Sequence, residues 1–253
     1  MLRQAWMLLR RELTASRTGL FAFAGVIVLW NLVLWTQLGR WDRFHLEALS
    51  LGSLFVTPLW VVIASLQSWS REWVRGSAHY TLAFPVSGWM LVATKATAAV
   101  AQALIAGLFA AAAGLPLLNR LVGFGSFWHL RQAVVINVVK ITLVIVVYMF
   151  VASAIVQLAY LAARATRASG SVAGLVTPVT GIAAIWLLLR AGGLLNGALD
   201  WLPPVAFYTV LPVGDVYYFM GDYVRVGPVF TAAVTGLVYF TITGWLTERG
   251  ADV

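Results

Sequence analysis

The sequence predicts an all-α integral membrane protein with six transmembrane helices. Apolar residues occupy 61% of its 253 positions and charged residues only 10%, whereas about a quarter of an ordinary soluble domain is charged. The apolar residues fall in long runs, and about 20 residues suffice for a helix to cross a bilayer. Because the runs are continuous rather than alternating, they predict helices and not the strands of a barrel.

The predicted spans make the whole chain, residues 1–253, a single membrane domain. We expect them at about 19–38, 48–67, 89–115, 131–161, 172–189 and 227–246. Pro58 lies near the middle of the second span and predicts a kink there. The third span is rich in alanine and glycine, which let helix backbones approach closely in lipid, so it should pack centrally.

Two segments outside the spans have a composition that predicts contact with the membrane surface. In residues 1–17, Leu2, Trp6, Leu9 and Leu13 recur at helical spacing, which predicts an amphipathic helix lying in the interface. Residues 190–226 combine glycine and proline with many apolar and aromatic residues. We expect two short helices there, which enter the outer leaflet and return before the last span.

The distribution of basic residues predicts the orientation of the chain in the cytoplasmic membrane. With both termini in the cytoplasm, ten basic residues lie inside: Arg3, Arg10, Arg11, Arg17, Arg71, Arg75, Lys95, Arg164, Arg167 and Arg249. Six lie outside: Arg40, Arg43, Arg120, Arg131, Arg190 and Arg225. Cytoplasmic loops carry the excess of Lys and Arg. The net charge of +8 therefore predicts orientation and contact with membrane lipid, not a nucleic-acid partner.

Missing motifs argue against an enzyme. The chain has no cysteine and only three well-separated histidines, so we expect no metal site and no thiol chemistry. It has no G-x-x-x-x-G-K-[ST] loop to cradle the phosphates of ATP, no H-E-x-x-H and no G-x-S-x-G. We therefore expect no cofactor on this chain.

The most polar long stretch of the chain lies between the second and third predicted spans, at residues 68–88. It contains an Arg-Glu pair followed by a glycine, then an apolar stretch, a Pro-Val-Ser triplet and an aromatic return to the membrane that ends in lysine. These features are Arg71, Glu72, Gly76, Tyr80, Leu82, Pro85, Val86, Ser87, Trp89 and Lys95. The segment resembles the cytoplasmic loop of the permeases of type-2 ABC exporters, and the predicted layout of spans resembles that family over the whole chain. The chain differs at His79, where the family often has an acid, and at Gly88, where it often has a basic residue.

The resemblance implies that this loop forms a coupling helix, which rests in a groove on a separate ATPase subunit. The residues implied in that contact are Arg71, Glu72, Arg75, Gly76, Tyr80, Leu82, Pro85 and Ser87, and Arg164 with Arg167 in the next cytoplasmic turn could form a second contact. ATP and magnesium would then bind to the partner. A second permease chain, identical or related, would complete the transporter, which would export an apolar or amphipathic substrate. From the residues themselves, Pro85 should end a short helix and Ser87 should cap the next one.

Lys140 is the one basic residue well inside a predicted span. Asn137 and Tyr148 share roughly its helix face, so the three could form a polar stripe along a transport pathway. Equally, the Lys140 side chain could extend to the outer surface, which would make its role structural.

A second hypothesis for the chain is a sensor or assembly factor that docks a cytoplasmic partner through the same loop without transport. A third hypothesis, an intramembrane enzyme, lacks a catalytic constellation. Binding of the partner would be independent of nucleotide in a sensor and linked to ATP in a transporter.

Overall fold

The computed structural model describes residues 2–74, 86–122, 131–165, 170–213 and 216–250. Seven helices and two strands follow one another in these ranges: α1 (Leu2–Thr36), α2 (Arg43–Val56), α3 (Leu59–Val74), α4 (Gly88–Val122), α5 (Arg131–Ala165), α6 (Gly170–Ala198), β1 (Val205–Val213), β2 (Val216–Val224) and α7 (Gly227–Gly250).

Six segments of the described chain are helical, long and apolar enough to cross a membrane. They are Arg3–Thr36, Arg43–Glu72, Gly88–Leu117, Asn137–Ala165, Leu175–Leu195 and Gly227–Arg249. The second comprises α2 and α3 together. The chain is therefore a multi-pass membrane protein, as its hydropathy predicts.

The N-terminal amphipathic segment is not a separate helix. It continues without a break into the first span, so that α1 is 35 residues long. Residues 2–18 contain no glycine or proline, and Ser16, at the predicted boundary, donates its hydroxyl to the backbone carbonyl of Glu12 at 2.9 Å. This bond lies within the helix, so the polar residues at the boundary do not interrupt it.

The predicted kink at Pro58 is present as a break between α2 and α3. Proline has no N–H to donate and its ring crowds the preceding turn. At the break, backbone hydrogen bonds join residues three apart: Trp60 N–H donates to Thr57 O at 3.0 Å and Val61 N–H donates to Pro58 O at 3.1 Å.

Helix α4 occupies the centre of the bundle and packs against α1, α2, α3, α5 and α7. Small residues make this possible, because Ala99, Ala103, Ala106 and Ala110 are all buried on it. The alanine-rich composition predicted this central position.

Buried polar side chains connect α1 to α2 near the C-terminal end of α4. Asn31 donates to Ser53 Oγ at 3.3 Å and accepts from Ser50 Oγ at 3.1 Å. A Cβ atom at Gly114 would lie 3.2 Å from Ser50 Oγ. Glycine therefore lets α4 approach this polar group closely.

The prediction of re-entrant helices in residues 190–226 is wrong. Helix α6 continues to Ala198, and the chain then forms a two-stranded antiparallel hairpin from β1 and β2. Residues 205–224 are rich in valine, tyrosine and phenylalanine, which favour strands. The apolar character alone cannot distinguish short strands from short buried helices.

The start of α4 and the end of α7 are in unusually close contact. A Cβ atom at Gly244 would lie 2.6 Å from Trp89 Cδ2, and one at Gly88 would lie 2.8 Å from Gly244 O. Glycine at both positions lets the two backbones and the indole ring share this space.

We expect Gly244→Ala to lower the free energy of unfolding by about 1–3 kcal/mol, because the added methyl group overpacks the Trp89 ring. Denaturation of the detergent-solubilised protein measures the change. Gly25→Ala is the matched control, since no atom of the described residues lies within 4 Å of a Cβ built there. Equal stability of the two variants would contradict the close packing.

Candidate functional site

Charged side chains from three helices meet at the N-terminal end of the bundle, where α1 and α4 begin and α3 ends. We define the charge cluster as Glu12 of α1, Ser68 and Glu72 of α3, and Lys95 of α4. Apart from Glu12, which is 16% exposed, the charged side chains are nearly or fully buried, at 8% for Glu72 and 0% for Lys95.

The Lys95 ammonium is the centre of the cluster. Its Nζ lies 2.9 Å from Glu12 Oε1 and 3.0 Å from Glu72 Oε1. It also donates to Ser68 Oγ at 2.9 Å and to Ser68 O at 3.2 Å, and it lies 4.8 Å from the centroid of the Trp69 ring. One ammonium therefore contacts two carboxylates, a hydroxyl, a carbonyl and an aromatic face.

Helical spacing brings the α3 members of the cluster together. Ser68 and Glu72 are four residues apart and so share one face of α3. The Ser68 hydroxyl donates to Glu12 Oε2 at 2.9 Å while it accepts from Lys95. Glu12 thus uses one oxygen for the ammonium and the other for the hydroxyl.

Arg71 forms a second connection between α3 and α1. Its Nη1 donates to the backbone carbonyl of Ala15 at 2.8 Å, and its Nη2 donates to Gln67 Oε1 at 2.7 Å. The guanidinium therefore holds the end of α3 against the turn of α1 that follows Glu12.

A chain of buried hydrogen bonds continues from the cluster toward the middle of the bundle. Trp69 Nε1 donates to Gln157 Oε1 at 3.2 Å, and Gln157 Nε2 donates to Ser153 Oγ at 3.0 Å. Ser153 and Ser65 hydroxyls share a further bond of 2.9 Å. This chain of hydrogen bonds connects α3 to α5.

The structure describes three of the eight residues predicted to contact an ATPase. Glu72 belongs to the charge cluster, and Arg71 bonds α1 beside it. Ser87 Oγ accepts a hydrogen bond from the backbone N–H of Met90 at 3.3 Å, which is the N-cap geometry for α4. The others lie outside the described residues, as does most of the predicted coupling helix: Arg75, Gly76, Tyr80, Leu82 and Pro85.

The candidate second contact is described only in part. Arg164 is exposed near the end of α5, where its Nη2 donates to the Tyr160 hydroxyl at 3.3 Å and its guanidinium lies 5.5 Å from the Tyr160 ring centroid. Arg167 lies outside the described residues. Arg164 is thus held at the helix surface by a residue one turn earlier.

The three predicted pathway residues lie along α5, toward the end of the bundle that carries the hairpin. Lys140 Nζ donates to the backbone carbonyl of Ala206 in β1 at 2.8 Å, so its side chain extends to the hairpin. Asn137 is half-buried, and Tyr148 is exposed.

A cavity of about 430 Å³ lies where α6, the hairpin and α7 meet. Its lining includes Asp200 and Arg225, whose side chains form an ion pair of 2.9 Å, and it includes none of the three predicted pathway residues. The structure therefore does not gather Asn137, Lys140 and Tyr148 around this cavity.

Glu12 and Ser68 were not predicted from the sequence as partners of Lys95. The available signal was a lysine placed a short distance inside a predicted span, on the same side of the membrane as Glu12 and Glu72. A lysine in that position requires an anionic partner. Which acid would supply it depends on how α1 packs, and sequence spacing does not reveal that.

No protein-family model matches the sequence, and it matches no curated protein and no solved structure. Within the described ranges, no group of three His, Asp or Glu side chains could hold a metal ion. Function must therefore be inferred from the charge cluster and its position beside the loop.

We expect Lys95→Met to lower the free energy of unfolding by about 3–5 kcal/mol, because it leaves two carboxylates in a buried site without their cation. Denaturation of the solubilised protein, followed by tryptophan fluorescence, measures the loss. Arg17→Met, on the exposed side of α1, should change the stability by no more than about 0.5 kcal/mol.

Adding Glu12→Gln and Glu72→Gln to Lys95→Met should restore part of the lost stability, since no buried charge then lacks its counterion. If Lys95→Met and Arg17→Met have the same free energy of unfolding, the charge cluster does not stabilise the bundle.

Proposed function

We propose that this chain is the membrane subunit of an ABC exporter, located in the cytoplasmic membrane with both termini in the cytoplasm. A separate ATPase subunit would bind ATP and magnesium and would dock on the loop between α3 and α4. Two permease chains would form the translocation pathway for an apolar or amphipathic substrate. The resemblance of residues 71–95 to the loop of such permeases is the starting point.

The contact between Glu72 and Lys95 carries the proposal. These residues are the acid near the start of the loop motif and the lysine at its end, and their side chains lie 3.0 Å apart. The loop between them is therefore closed at its base by a buried ion pair. Glu12 joins α1 to the same lysine, so a displacement of the loop would act on α1, α3 and α4 together.

The hydrogen bonds from Trp69 to Gln157 and Ser153 could transmit a displacement of the loop to α5. Trp69 lies against the Lys95 ammonium and is bonded to Gln157 of α5. In the proposed cycle, closure of the ATPase dimer on ATP pushes the loop, and the helices tied to the cluster reorganise around the pathway. The ATP chemistry stays on the partner.

A sensor or assembly factor is the second candidate function, because a rigidly based loop would also suit a docking site. Nucleotide distinguishes the two. A sensor would bind its partner equally with and without ATP, whereas the stimulation of an ATPase by the membrane subunit would require coupling through the bundle.

The direct test is co-purification of the solubilised chain with the P-loop ATPase encoded nearest to its gene. We expect a stable complex whose ATPase rate in lipid exceeds that of the ATPase alone. Recovery of the chain without any ATPase, together with an unchanged rate when the two are mixed, would overturn the proposal.

Glu12→Gln should separate docking from coupling. Glu12 lies on α1 and is not one of the residues predicted to contact the ATPase, so the variant should still bind the ATPase while its stimulation of ATP hydrolysis falls about five-fold or more. Glu47→Gln is the matched control, because Glu47 forms an exposed ion pair with Arg43 in α2. Equal stimulation by both variants would show that α1 takes no part in coupling.

A further inference from the structure

The hairpin that follows α6 has two outer edges, one on β1 and one on β2. The two edges differ in whether their outward N–H and C=O groups are protected from pairing with a further strand. Its strands pair antiparallel in a continuous register from Val205↔Val224 to Val213↔Val216. In such a pair, the residues alternate between those whose N–H and C=O bond the neighbouring strand and those whose N–H and C=O point outward. The outward groups form the edges of the sheet.

The contact with Lys140 identifies the outward set. Because Ala206 O accepts from Lys140 Nζ at 2.8 Å, the pair Ala206↔Tyr223 has its backbone groups directed outward. The alternation then places Tyr208, Val210 and Pro212 on the outer edge of β1. Pro212 agrees with this assignment, since proline within a sheet is confined to positions that do not donate to the neighbouring strand.

The outer edge of β1 is thus protected at both ends. Lys140 occupies the carbonyl of Ala206, and Pro212 offers no N–H. Proline and lysine residues at a sheet edge hinder the addition of a further strand. β1 also packs against α5.

Among the described residues, the outer edge of β2 has neither a proline nor a bonded lysine to protect it. Its outward residues are Tyr217, Phe219, Gly221 and Tyr223, and β2 contains no proline and no lysine in its nine residues. In the part of the chain that the structure describes, the sheet has two strands, so this edge has no strand partner. A two-stranded hairpin alone is only marginally stable in water.

We propose that β2 pairs with β2 of a second copy of this chain to form a four-stranded sheet. An antiparallel pair of identical strands satisfies a two-fold axis, so the same edge serves both partners. Centring the axis at Met220 places Tyr217 opposite Tyr223 and Phe219 opposite Gly221, which uses all four outward residues. The axis is perpendicular to the sheet, and for two chains inserted in the same direction it is also the membrane normal.

The preceding helix is consistent with a second copy. In the 18-residue apolar stretch of the span Leu175–Leu195 in α6, only 6% of the residues are buried within one chain, against 28–44% in the corresponding stretches of the other five spans. This span leads directly into the hairpin, so its surface is available to the same partner. The inference names the second permease chain of the proposed function and to that extent rests on it, but its test needs no ATPase and no substrate.

Single cysteines test the pairing cleanly, because the chain contains no cysteine of its own. At the two-fold axis, Met220→Cys would place two Cα atoms about 4.5 Å apart, which a disulfide can bridge. Thr209→Cys is the matched control, because Thr209 pairs with Met220 in the hairpin but lies on β1. Two copies of Thr209 would be three strand spacings apart, about 14 Å.

We expect mild oxidation in native membranes to convert most of Met220→Cys, and little of Thr209→Cys, to a disulfide-linked dimer. Equal cross-linking of the two would overturn the register. Absence of cross-linking in both would overturn the pairing, and transfer of the Met220→Cys cross-link to a different protein would assign the edge to a foreign strand instead.

Proline substitution gives a second, independent test. Phe219→Pro removes an outward N–H from the β2 edge and should convert the dimer to monomer, whereas Val210→Pro, at its cross-strand partner on the β1 edge, should leave the dimer intact. Size-exclusion chromatography with light scattering in detergent measures the mass. A dimeric Phe219→Pro variant would overturn the proposal, whatever the outcome of the ATPase experiments.

Discussion

The Lys95 ammonium lies where neither water nor lipid can solvate it, and most of the N-terminal end of the bundle is arranged around that constraint. A buried charge is tolerated only when it is paired and hydrogen-bonded. Glu12, Glu72 and Ser68 supply these partners. Because they come from α1 and α3 while the lysine belongs to α4, satisfying one charge fixes the relative positions of three helices.

Polar bonds have a particular value in this protein because its apolar surfaces do little to distinguish one helix arrangement from another. Lipid is as apolar as the side chains it would replace, so helix association depends on close packing and on hydrogen bonds. The described bonds occur at several levels: Asn31 with Ser50 and Ser53, Trp60 with Gln102, Ser65 with Ser153, and Trp69 with Gln157. Each connects two different helices or helix segments.

The two ends of the bundle differ in character. The N-terminal end is held by buried charges next to the polar segment 68–88, which suits the transmission of a displacement from the proposed ATPase partner. The other end carries a hairpin with one protected edge and one open edge, which suits association between chains. The proposed transport by two permease chains would need both properties, since a force on each loop would have to act across a shared pathway.

The sequence by itself determined the membrane class, the number of spans, the break at Pro58 and the central position of α4, because hydropathy, proline and small residues act locally. It also indicated Glu72 and Lys95 as members of one motif. It could not show that their side chains meet, or that Glu12 joins them, because those contacts depend on how helices pack that are well separated in the sequence: Lys95 lies 23 residues after Glu72 and 83 residues after Glu12. It also missed the hairpin, since an apolar and aromatic segment is compatible with short helices or strands until Lys140 and the cross-strand register select one. Tertiary structure decided these features because a buried charge and a strand edge each require a partner from elsewhere in the fold.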